Sequence, residues 1–209
     1  MARIIFALLS GLAVGLAFGL SAGSSMLGST DSQEKAKEKL LYRGQPASFW
    51  IGQLGDRDPS FRREAMWALA HLGPGDESSV RALADMLKHK NEGVRSGAAL
   101  NLGRMGPAAE SAVGLLIAAL RDDDQFVRIA AVRALGSISP HDDAVLEALS
   151  STLQDKSDMV RRRALNILGE IGPPALATLP AVREALKDSD LEVRQAAAEA
   201  LDNIERRNE

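Results

Sequence analysis

Five arginines recur at a fixed interval: Arg62, Arg95, Arg128, Arg161 and Arg194 stand 33 residues apart. A residue that recurs at one spacing along the chain marks a structural repeat, not a reaction. Four residues before each arginine stands Asp58, Asn91, Asp124, Ser157 or Asp190, side chains that accept from the free amides of a helix's first turn. Residue types that carry catalysis are sparse. The 209-residue chain has no Cys, which excludes thiol chemistry, disulfides and thiolate metal sites. His71, His89 and His141 have no second His or paired carboxylate at metal-ligand spacing on a helix. Nor is there a phosphate-cradling glycine loop, a nucleophile elbow or a His-Glu-x-x-His pair. The expectation is a chain with no catalytic residue, no metal and no cofactor.

The elements that position the arginines follow from the same register. Three residues beyond each lies Ala65, Ala98, Ala131, Ala164 or Ala197, and seven beyond lies Leu69, Leu102, Leu135, Leu168 or Leu201. These offsets trace one face of an α-helix. Pro74, Pro107, Pro140 and Pro173 end the first four copies. Upstream, Leu54, Leu87, Leu120, Leu153 and Leu186 follow Trp50, Leu83, Leu116, Leu149 and Val182 by four residues, marking a first helix in every unit. Neither helix can bury its stripe alone, so the units must stack. The fold class is all-α: an α-solenoid of five 33-residue helix pairs over 46–209, preceded by an N-terminal hydrophobic helix. Only 4% of residues are aromatic, which suits close packing by Ala, Leu, Ile and Val. Tyr42, Phe49, Trp50, Phe61 and Trp67 gather at one end, where they are expected to seal the first core edge.

Residues 4–27 carry no charge, and Arg3 precedes them. Residues 1–27 therefore read as a signal peptide or a retained transmembrane anchor, and either sends the remainder across the membrane. Gly11, Gly15, Gly19 and Gly23 recur every fourth residue, a stripe through which two membrane helices can approach and form a homo-oligomer. Residues 28–45 read as a polar linker. With 25 basic and 28 acidic residues the net charge is −3, which gives no attraction to nucleic acid.

The unit Val127-Arg128-Ile129-Ala130-Ala131-Val132-Arg133-Ala134-Leu135-Gly136 resembles HEAT repeats of the short kind named after phycobilisome lyases. The resemblance covers 46–205. It implies a polar ladder between stacked repeats, built from Asp58, Asp124 and Asp190 with the five arginines, and weakened where Asn91 and Ser157 replace Asp. It also implies that the second helices line the concave side. Their exposed positions include Arg63, Trp67, Leu100, Arg104, Ile129, Arg133, Arg162 and Asn166. Trp67, Leu100 and Ile129 would form an apolar stripe beside Arg104, Arg133, Arg162 and Arg163, unless Trp67 and Leu100 tuck against neighbouring helices. The reading is a non-catalytic scaffold on the extracytoplasmic side, whose concave face takes an acidic or extended segment of another protein. A bilin lyase or lyase-like subunit, and a membrane-anchored oligomer, are the alternatives.

Overall fold

A computed structural model describes residues 41–72 and 76–206. The expectations for 1–27, with Gly11, Gly15, Gly19 and Gly23, and for 28–40 of the linker lie outside the described residues. Among those residues, no helix is long and apolar enough to cross a membrane.

Among the described residues, ten α-helices alternate as first and second members of five pairs. The first members are α1 (Ala47–Gln53), α3 (Glu77–Met86), α5 (Val113–Ala119), α7 (Asp143–Ser151) and α9 (Leu179–Ala185). The second members are α2 (Pro59–Leu72), α4 (Glu92–Met105), α6 (Gln125–Ile138), α8 (Asp158–Ile171) and α10 (Leu191–Glu205). Second helices keep nearly constant length because cap and stop recur with the period. Asn91, Asp124 and Asp190 accept from the amides of their helices' first turns, as expected of short acceptors at an N-cap. Asp58 does the same for Ser60 at 2.8 Å. Ser157 departs: its hydroxyl donates to Gln125 Oε1 of the preceding repeat at 2.8 Å and so makes no cap bond.

Gly106 and Gly172, at φ of 59° and 71°, end α4 and α8 in the left-handed region that glycine adopts without strain. Tight turns at Gly106–Ala112 and Pro173–Thr178 follow, so the breaks before α5 and α9 are short 3₁₀ segments. One continuous apolar core runs from Trp50 to Ile204. The alanines three beyond each arginine, the four leucines from Leu69 to Leu168, and Leu83, Leu116, Leu149 and Val182 are fully buried in it.

The two layers are not spaced alike. Second helices lie close against one another, whereas successive first helices barely meet. Gly103 and Gly169 permit this: a Cβ at either would come within 2.9 and 3.0 Å of the Cα of Ala134 and Ala200, respectively.

At the first repeat, Tyr42 lies edge-on to Trp50 and Trp67, with ring centroids 5.5 and 5.1 Å away. The Trp50 indole N–H donates to the Tyr42 carbonyl at 3.3 Å. Phe49 adds an edge contact to Trp50. Phe61, in contrast, is exposed and takes no part in this seal.

Candidate functional site

An arginine ladder joins successive repeats, and its carboxylates are not the expected ones. Arg95 binds Asp122 through Nε and Nη2, both at 2.7 Å. Arg128 binds Asp155 at 2.7 and 2.8 Å, and Arg161 binds Asp188 at 2.7 Å twice. Each carboxylate belongs to the next repeat, two residues upstream of the N-cap. The pairing expected for Asp58, Asp124 and Asp190 is thus corrected. Those side chains face the first turn of their own helices, where the amides hold them. The ladder aspartates also accept from the backbone of that turn, as Asp122 does from Asp124 N–H at 3.0 Å.

The third guanidinium nitrogen is tied as well. Nη1 of each ladder arginine, Arg62 and Arg194 included, donates to the carbonyl six residues upstream. The Arg95 hydrogen bonds hold the Asp122 carboxyl below its usual range against the opposing effect of burial, and Arg161 does the same for Asp188. At Asp155 burial works upward and is outweighed by Arg128 and by the Ser157 amide. Asp122 and Asp188 in turn raise the pKa values of Arg95 and Arg161.

One rung is missing. At the second repeat the ladder position holds His89, whose Nδ1 accepts from Asn91 N–H at 3.1 Å. The histidine thus keeps the turn-organising contact but offers no carboxylate. Arg62 Nε is left buried with no hydrogen-bond partner.

In front of the ladder, the outward positions of the second helices form two grooves. The first, between α4 and α6, has a volume of about 390 Å³ and is lined by Leu100, Arg104, Arg133 and Ser137 over a floor of Gly103 and Ala134. Among the described residues no carboxylate pairs with Arg104 or Arg133; Arg104 instead lies over the Trp67 ring at 5.5 Å, a cation–π contact. The second groove spans α6, α8 and α10, has a volume of about 590 Å³, and holds Ile129, Arg162 and Asn166. Phe126 and Met159 form its apolar wall, exposed by 57% and 40%.

Most of the expected face residues are therefore brought to these grooves, but not as one stripe. Trp67 is half-buried among Tyr42, His71 and Arg104, so it acts as packing and lines neither groove. Arg63 is exposed on α2, away from both. Arg162 is paired with Glu192. Phe126 and Met159 were missed, although each precedes an expected position by three residues and so continues the same face. Among the described residues, no group of three His, Asp or Glu side chains could hold a metal ion.

The profile of HEAT repeats matches residues 47–136, 107–165 and 146–209, most of the chain. This is a HEAT-repeat protein. No curated protein matches it. Among solved structures, the HEAT solenoid is similar to the CpcE–CpcF complex of phycocyanin lyase from Nostoc sp. PCC7120. Identity is 26% and the TM-score 0.62, over 77% of this chain and 65% of that one. An engineered protein matches at 25% identity and TM-score 0.53, over 85% and 93% of the two chains. A designed armadillo repeat protein, solved with a (KR)4 peptide, shares the fold at 20% identity and TM-score 0.56, over 85% and 95%. A helical repeat scaffold of this kind is consistent with binding another protein.

Proposed function

We propose that this HEAT solenoid is a non-catalytic scaffold that binds another protein along its second-helix face, presented on the far side of a membrane. The observation that carries the reading is the α4–α6 groove: Leu100 is 40% exposed beside Arg104 and Arg133, with no lining carboxylate. Guanidiniums flanking an apolar surface are a frequent composition of protein interfaces. The uncharged segment 4–27 supports the extracytoplasmic side, by anchor or by cleaved signal. The ladder supports the scaffold role, because it fixes successive repeats and keeps the face preorganised.

Affinity capture of the full chain from its native membranes, repeated with Leu100→Asp and Arg133→Glu, tests this. Both side chains are exposed, so the variants should keep wild-type helicity and lose the captured protein. Retention of the same protein by both would refute the face. Trp67→Ala is a poor probe, since that ring belongs to the aromatic seal.

The similarity to a phycocyanin lyase complex favours bilin lyase or lyase-subunit activity as the second reading. It predicts visible absorbance after incubation with a bilin; colourless protein that neither binds nor transfers bilin would reject it.

A further inference from the structure

We propose that the segment bound on this face is recognised at two points, an acidic residue and a large apolar residue three or four positions apart. The inference rests on the scaffold reading above and specifies its partner.

The two grooves are chemically unlike and share helix α6. Arg133 stands on the α4–α6 side, where the lining offers two guanidiniums but no carboxylate. A carboxylate is the group that satisfies this set, through charge-assisted hydrogen bonds to a planar fork. Arg104 is already steadied over the Trp67 ring, so less side-chain freedom is lost when it binds. One turn earlier on the same helix, Ile129 faces the other groove with Phe126 and Met159. Phe126 and Met159 are open to solvent, and three apolar side chains on one surface define a site for a fourth. The charged residues there balance, Arg162 paired with Glu192 and Arg163 offset by Glu199 in the same lining, so this groove has no surplus positive charge to draw a second acid.

Spacing follows from helix geometry. Arg133 and Ile129 are separated by about 6 Å along α6 at a rise of 1.5 Å per residue. The apolar site lies toward α8, a neighbouring axis at about 8–10 Å. The diagonal between the two sites is on the order of 11 Å, which an extended chain at about 3.3 Å per residue crosses in three or four residues. Peptides with adjacent acidic and apolar residues span too little to reach both sites, whereas a longer separation still reaches both at a small cost in loop entropy.

The test is fluorescence anisotropy of full-length protein in detergent micelles against labelled, otherwise Ser/Gly-rich peptides carrying one Glu and one Leu. Peptides with Leu three or four residues from Glu should bind about tenfold tighter than those with spacing one, the worth of one added contact of about 1.4 kcal/mol. Arg133→Glu should remove the advantage of Glu over Gln, and Met159→Asp that of Leu over Ser, with helicity unchanged in both. Equal affinity at all spacings, with Arg133→Glu still weakening binding, would overturn the two-point rule and leave the scaffold face standing. Affinities insensitive to both substitutions would overturn the two together.

Discussion

Arg128 and Asp155 stand 27 residues apart in sequence and form a two-bond rung, 2.7 Å from Nε to Oδ2 and 2.8 Å from Nη2 to Oδ1. Only 3% of the arginine side chain is exposed. Such a pair is expensive to break from one side, because the remaining charge stays buried without its partner. Asp155→Asn should therefore cost about 3–5 kcal/mol. Asp124→Asn, at an N-cap where the two residues are equivalent, should be nearly neutral. Urea denaturation of the two variants distinguishes them; equal midpoints would put the ladder back at the cap.

Acid should loosen the stack in a defined direction. The carboxyl groups of Asp122, Asp155 and Asp188 lie below their ordinary value of 3.8 in the folded chain. The folded state then binds fewer protons than the unfolded chain between the two values. The stabilisation is complete above about pH 4 and is lost as pH falls through the folded values. Thermal melts at stepped pH should show this decline, and the Asp188→Asn variant should show less of it. An identical decline in the variant would assign the acid sensitivity elsewhere.

His89→Asp should complete the missing rung. The new carboxylate can accept from Asn91 N–H, as His89 Nδ1 does, and also reach the unpartnered Arg62 Nε. A gain of about 1–3 kcal/mol is expected, the size of a hydrogen bond to a charged group that satisfies a buried donor. A denaturation midpoint at or below wild type would contradict the account of that rung.

Two glycines should respond in opposite ways to alanine. At Gly103 the added Cβ meets Ala134 Cα at 2.9 Å, so Gly103→Ala should destabilise by about 1–3 kcal/mol despite its better helix propensity. At Gly114, on α5, nothing lies within 4 Å, and Gly114→Ala should stabilise by up to about 1 kcal/mol. Melting temperatures read both signs at once.

The helix pairs, their caps and their core were legible in the sequence because period and cap chemistry repeat together. The ladder's partners were not, for a specific reason. Asp56, Asp122, Asp155 and Asp188 recur two residues upstream of the cap series, so two aspartate series compete for the same arginines. Capping already accounts for the nearer one. The farther series, left without a role, was the overlooked signal. Glycines told a similar story: Gly106 and Gly172 were readable as helix ends, but Gly103, Gly136 and Gly169 share one mid-helix register. Close approach between helices explains that register at Gly103 and Gly169, and it shows only once the neighbour is in place. At Gly136 it is the Ile167 side chain that would meet an added Cβ. The division of the face into two grooves was likewise out of reach, because it depends on how far apart neighbouring second helices stand.

The central claim is that a protein partner lies on the second-helix face. Site-specific photo-crosslinking in the full-length chain tests it most directly, with the photoreactive residue at Leu100 on the second-helix face or at Ala118, exposed on α5. The account predicts that one protein, the same one captured by affinity from native membranes, becomes covalently attached at Leu100 and not at Ala118. Attachment at Ala118 with none at Leu100 would place the partner on the other layer and contradict it.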